Sequence, residues 1–312
     1  MVNLTTYNLA AKIAFLHSDL LYLSLMSLML VSFSLFLFFM AIMLSVYFSS
    51  SRMQEEARYI LFVHMLITDT IYLIVGLLLF FTISYLVYYP VPICYIIVTM
   101  SSTAFKVTPY NLAVMSLERY LAICFPLRHT EWCNRPKAIL TILAIWIIGL
   151  IPNVVDFIIL CFSVRGDYFF MYCLCTRSDL QKNEAQQTLR SLIHVLGFSL
   201  VGLIIIFTYI KIMLVAIKVD SGKATASKAG RTVVLHAFQL LLCMSAYSYN
   251  LIEAFLRKYL YMLPLINFFF FMCLPRLFSP LIYGLRDEMF LRSIKRIVLC
   301  RHLKTLPTPE TN

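Results

Sequence analysis

At 312 residues, with 61% hydrophobic side chains, only 13% charged ones and a mean hydropathy of +0.85, the chain has too little polar side chain to coat a water-soluble surface, where about a quarter is usually charged. The formal net charge of +11 does not point to nucleic acid, because the basic residues sit in short loops between apolar runs and not on an aromatic-interleaved patch. Nine cysteines on so apolar a chain, most of them inside hydrophobic runs, read as small hydrophobes and not as a disulfide framework.

Residues 1–22 are mixed, and Asn3-Leu4-Thr5 is a glycosylation sequon if this end lies outside the cytoplasm. No charged segment, short apolar core and small-residue cleavage site precede the first long apolar run, so that run is expected to serve as its own insertion signal. It covers 23–48, ample for a bilayer that needs about 20 apolar residues. A polar loop with Arg52, Glu55, Glu56 and Arg58 leads to a second span over 59–81, which holds one lone carboxylate, Asp69. Pro90 and Pro92 mark a turn. The third span runs from 92 to 120 and ends on Glu118-Arg119-Tyr120, charges that must pair or reach water or headgroups.

After a loop with Arg128, Arg135, Pro136 and Lys137 comes a fourth span, 138–162, carrying Trp146 and Pro152. A polar stretch, 163–188, contains Cys173 and Cys175; the fifth span is 189–217. A Lys/Ser/Ala/Gly loop precedes the sixth span, 232–256, and the seventh covers 261–285. Residues 286–300 form a basic amphipathic segment with Phe290, Leu291, Ile294, Ile297 and Val298 on one side, suited to the membrane interface. The pattern predicts an all-α membrane protein: an N-terminus (1–22), one seven-helix bundle (23–285), and a cytoplasmic amphipathic helix and tail (286–312). Lys and Arg are about twice as numerous in the loops that share a side with Arg128, Lys223 and Arg292 as in the opposite set, which places that side in the cytoplasm and the N-terminus outside.

The segment M-S-L-E-R-Y-L-A-I-C-F-P-L-R-H, 115–129, resembles the third-helix signature of rhodopsin-like seven-helix receptors, and among them the odorant receptors. Tyr209-Ile210-Lys211-Ile212 ends the fifth span as a Tyr-x-x-Ile does in that family. Lys228-Ala229 followed by His236 is similar to the start of the odorant-receptor sixth helix. Ser279-Pro280-Leu281-Ile282-Tyr283, followed by Leu285-Arg286, is similar to the seventh-helix Asn-Pro-x-x-Tyr. The chain departs from the pattern where the first span lacks Asn, where Ser279 stands in place of Asn, and where Met244 stands in place of Tyr. These departures suggest a divergent, fish-type odorant receptor, and the lack of an acidic residue near Ser101 and Ser102 disfavours an amine ligand.

The resemblance implies a small-molecule pocket in the outer half, lined by Ser101, Ser102, Phe105, Lys106, His194, Phe198, Tyr247, Ser248, Leu251, Phe269 and Met272. Lys106 either meets an acidic ligand or is satisfied by backbone carbonyls or water. It also implies activation of a stimulatory heterotrimeric G protein through an inner group, Glu118, Arg119, Tyr120, Tyr209, His236, Pro280 and Tyr283, with Glu118 holding Arg119 in the resting state. In the family the Asp69 position joins a sodium-binding pocket, and an Asp69–Arg276 ion pair is expected to replace the ion. An outer disulfide is expected from Cys94; the sequence leaves Cys173 and Cys175 open, while the resemblance favours Cys94–Cys173 with Cys161–Cys175 as a second pair. No cofactor or nucleic-acid partner is implied, and membrane lipids are. Other function classes fit less well. No internal repeat suggests a transporter or channel, and the six histidines are scattered without metal-ligand spacing. Within the receptor class, a lipid or peptide ligand is the nearer alternative.

Overall fold

The computed structural model describes residues 4–176, 180, 184–218, 238, 241, 265–266, 268–274 and 276–278. Apart from 238 and 241, the expected sixth span lies outside this set, as does the segment 286–312. The described residues include seven α-helices: α1 (Leu4–Phe48), α2 (Ser51–Glu55), α3 (Ala57–Ser84), α4 (Val91–Cys124), α5 (Pro126–Trp132), α6 (Arg135–Ser163) and α7 (Glu184–Lys218). Five of them, α1, α3, α4, α6 and α7, are long and apolar enough to cross a membrane. Their exposed faces carry large apolar residues such as Leu35, Ile74, Leu140, Ile147, Leu196 and Leu203, which only a lipid solvent accommodates. The protein is a multi-pass helical membrane bundle.

Two features go beyond the sequence reading. Helix α1 begins at Leu4, so helical backbone bonding continues the first span outward through 4–22. The outer stretch 163–188 also contains a strand, β2 (Tyr172–Leu174), which pairs antiparallel with β1 (Tyr88–Pro90). Three residues per strand are too few for an alternating pattern to stand out, which hides this ribbon in the sequence.

Helix α4 is the axis of the bundle, packing on α3, α6 and α7. Its interior Pro109 has no N–H to donate, and polar residues on the same helix bind its neighbours instead: Asn111 Nδ2 donates to Leu61 O of α3 at 2.8 Å. On the inner half, Met40, Met43, Tyr59, Phe62, Leu66, Leu112 and Met115 form one buried cluster. On the outer half, Leu73, Leu77 and Phe80 of α3 pack with Met29 and Phe36 of α1 and with Leu265, Phe268 and Cys273 of the seventh span. Gly197 of α7 allows a close approach to α4, since a Cβ there would lie 2.8 Å from Tyr110 Oη.

Residues Phe268–Cys273 form a π-helical turn. In a plain α-helix, positions 268 and 276 diverge by about 80°. The residue added by a π turn brings them back onto one face. Phe268 accordingly stacks on Phe80 at 5.1 Å while Arg276 reaches Asp69, both on α3.

Candidate functional site

The outer part of the site is built on the i, i+4 geometry of α4. Ser101, Phe105 and Thr108 share one face, and Ser102 and Lys106 share the next. Phe105 is where three helices meet: its ring lies 5.9 Å from Tyr72 of α3, 5.9 Å from Phe198 and 6.3 Å from His194, both of α7. His194 Nδ1 lies 2.7 Å from Arg190 O; a carbonyl only accepts, so Nδ1 carries the proton in that contact.

Ser102 and Lys106 turn away from this group, toward α6. Lys106 Nζ donates to Gly149 O at 3.3 Å and to Asn153 Oδ1 at 3.4 Å, and Ser102 Oγ donates to the same Oδ1 at 3.0 Å. Asn153 Nδ2 donates to Thr103 Oγ1 at 2.7 Å, and Tyr95 Oη to Asn153 O at 2.7 Å. Of the two roles open to Lys106 in the sequence, the carbonyl-bound one matches these contacts. Asn153 is the residue sequence reasoning passed over; a lone amide directly after Pro152 in an apolar run was the available signal. Asp156 of α6 was passed over in the same way, and it forms a buried ion pair with Arg190 of α7.

One turn below Phe105, Thr108 Oγ1 donates to Asp69 Oδ1 at 2.9 Å. Arg276 Nη1 donates to both Asp69 Oδ1 and Thr108 Oγ1, and its guanidinium lies over the Tyr72 ring at 4.5 Å. Asp69 and Arg276 are almost wholly buried, so in a hydrocarbon surround each charge is tolerable only with the other present. Trp146 Nε1 donates to His64 Nε2 at 2.8 Å, tying α6 to α3.

At the inner end, Glu118 does not hold Arg119. Its Oε1 lies 2.9 Å from His129 Nε2, and among the described residues no ion pair joins 118 to 119. Consecutive helical residues point about 100° apart, so neighbours in sequence do not face each other on a helix. Tyr120 stacks edge-on against Phe125 at 5.7 Å and Phe207 at 5.9 Å, and Tyr209 is half-buried on α7. Phe269 is half-buried among the outer aromatic residues of α1 and α3, and Met272 lies in the π turn. Tyr247, Ser248, Leu251, His236, Pro280, Tyr283 and Asn3 lie outside the described residues.

The disulfide joins Cys94 to Cys175, with Cα atoms 5.2 Å apart, correcting the expected Cys94–Cys173 pair. The ladder holds Cys173 opposite Tyr89, whereas Cys175 lies past the end of β2, where the chain turns over the first turn of α4. With Cys175 so used, the second expected pair falls as well, and Cys161 is an exposed thiol at the end of α6.

The profile of the 7 transmembrane receptor (rhodopsin family) matches residues 40–283. The chain is 31% identical over 251 residues to Odorant receptor 131-2 of Danio rerio, covering 79% of this chain and 77% of that one. It is 27% identical over 199 residues to Olfactory receptor 2M5 of Homo sapiens, and 26% identical over 201 residues to Olfactory receptor 5AK2 of Homo sapiens. Those two matches cover 61% and 60% of this chain, and each spans 62% of the human protein. The chain belongs to the rhodopsin family of seven-transmembrane receptors. Within that family it falls with the odorant receptors, so it is a receptor and not an enzyme.

Proposed function

We propose that this receptor binds a small odorant in the outer half of its bundle and passes that occupancy to a stimulatory heterotrimeric G protein, raising cyclic AMP. The observation that carries the reading is the single turn of α4 between Phe105, where Tyr72, His194 and Phe198 converge, and Thr108, which joins the Asp69–Arg276 pair. A ligand seated against Phe105 presses on the same turn that holds the buried charges. It shifts the receptor only if it binds one arrangement better than the other. Ser101, Tyr247, Ser248, Leu251, Phe269 and Met272 complete the pocket by resemblance, while Ser102 and Lys106 act behind it, on the α4–α6 seam.

The inner surface suits a protein partner. Leu127 of α5 is 94% exposed, beside exposed Phe125, Arg128 and Trp132, an apolar point with a basic neighbour outside the spans. Arg119, Tyr120, Tyr209, His236, Pro280 and Tyr283 are assigned the coupling surface on the family's pattern. The receptor is read as residing in the plasma membrane with seven spans, its N-terminus and Asn3 outside, and residues 286–312 on the cytoplasmic face among anionic lipids. No cofactor is required. The test is cyclic AMP in transfected cells across a chemically diverse odorant panel. A response that disappears in Arg119→Ala and shifts in Phe105→Ala at equal surface amount supports the reading. Ion flux or lipid turnover without G protein overturns it.

A further inference from the structure

Helix α5, Pro126–Trp132, has seven residues, none of them buried. So short a helix is not stable by itself in water, and with no apolar face packed it must be held by polar contacts. Its amides at Arg128 and His129 bond back to Phe125 O at 3.1 and 3.0 Å, which shapes the turn but does not fix α5 against α4. Among the described residues, the side-chain hydrogen bond that joins α5 to α4 is His129 Nε2 to Glu118 Oε1 at 2.9 Å. The two ends of that bond differ. The Glu118 side chain is 8% exposed and the His129 side chain 28%, so a carboxylate sunk at the edge of the bundle is reached from the inner rim by an imidazole. A charged or polar group at that depth needs a partner, and among the described residues no ion pair joins Glu118 to Arg119.

We propose that His129 is a positioning residue for signalling: by clasping Glu118 it sets the attitude of α5 and thereby the display of Leu127 and Arg128 to the intracellular partner. The role of Glu118 is then to anchor the inner loop and not to restrain Arg119. The inference rests on the reading of this rim as the G-protein surface. A reporter independent of that reading lies alongside. The amide of Cys133 donates to His129 O at 2.8 Å, so its thiol follows the end of α5. Burial pushes that thiol above its ordinary range, the Glu118 carboxylate adds to the rise, and Lys137 opposes it.

The experiment uses the full-length receptor in cells, with surface amount measured alongside cyclic AMP. His129→Phe keeps a ring and removes the hydrogen bond, His129→Gln keeps a donor, and Glu118→Gln weakens the acceptor. His129→Phe is expected to lower the ligand response about tenfold, the scale of one charge-assisted bond, with His129→Gln recovering most of it. His129→Phe/Glu118→Gln is expected to be no worse than the worse single change, because the two act through one contact. In parallel, thiol labelling of Cys133 in membranes, read by peptide mass spectrometry without ligand or G protein, is expected to speed up severalfold in His129→Phe and not in His129→Gln. Unchanged labelling and response in His129→Phe overturns the proposal, as does additivity of the two changes. So does raised basal signalling in Glu118→Gln that His129→Phe does not share, which returns Glu118 to Arg119. If the wild type evokes no cyclic AMP with any ligand, the coupling reading fails, and labelling alone decides the clasp.

Discussion

Phe105 and Lys106 are adjacent, yet one meets the aromatic side chains of α3 and α7 and the other the carbonyl of Gly149 on α6. The difference is about 100° of helix rotation, and it changes what each residue is expected to do. Lys106→Met should leave the preference between carboxylate and neutral ligands unaltered while lowering the thermal stability of the purified receptor, because it strips Asn153 of a donor inside the bundle. A ligand-selective loss would return Lys106 to the pocket. Asp69 and Arg276 behave oppositely to surface ions. Removing either partner, as in Asp69→Leu or Arg276→Met, should cost about 3–5 kcal/mol by stranding a buried charge. Exchanging them in Asp69→Arg/Arg276→Asp should recover part of the surface expression, which is the measurement that checks the pair. Gly197→Ala brings a methyl 2.8 Å from Tyr110 Oη, and overpacking of this kind costs about 1–3 kcal/mol. Tyr110→Phe in the same chain removes the offending oxygen, leaving ring contacts of 3.6 and 3.7 Å, and should restore the melting temperature.

Helices α4 and α6 were readable as elements from apolar run length alone, and α4 extends one residue before and α6 three residues before the positions read as their starts. Asn134 marks the reason for the second: its side chain accepts from Lys137 N at 3.2 Å, capping the helix before the apolar run begins. The outer ribbon was not readable. Its register, Tyr89 opposite Cys173, is what decides which cysteine reaches Cys94. Cys175→Ser should therefore abolish the disulfide-linked peptide in non-reducing mass spectrometry and cut surface expression, whereas Cys173→Ser should leave both in place. The π turn at Phe268–Cys273 is a second element without a sequence signature, since four consecutive phenylalanines give no period. It nevertheless decides that Phe268 and Arg276 both face α3.

Taken as a whole, the molecule uses α4 as the shared wall of most of the polar junctions described: Lys106 and Ser102 toward α6, Thr108 toward Asp69 and Arg276, Asn111 toward Leu61, and Glu118 toward His129. A ligand at Phe105 and a partner at α5 are thus connected through one rigid element. Leu127→Ala, a change on the exposed inner helix, should reduce G-protein activation severalfold without altering ligand affinity, checked by cyclic AMP against a direct binding assay. The sequence by itself determined the solvent, the apolar spans and the receptor family, because the length of an apolar run and the motif residues within it are local properties that survive without a fold. Only the tertiary structure decided which neighbour each polar residue serves. In lipid every buried polar group must find a partner inside the protein, and the identity of that partner depends on helix rotation and strand register, which accumulate over the chain and are written in no single segment of it.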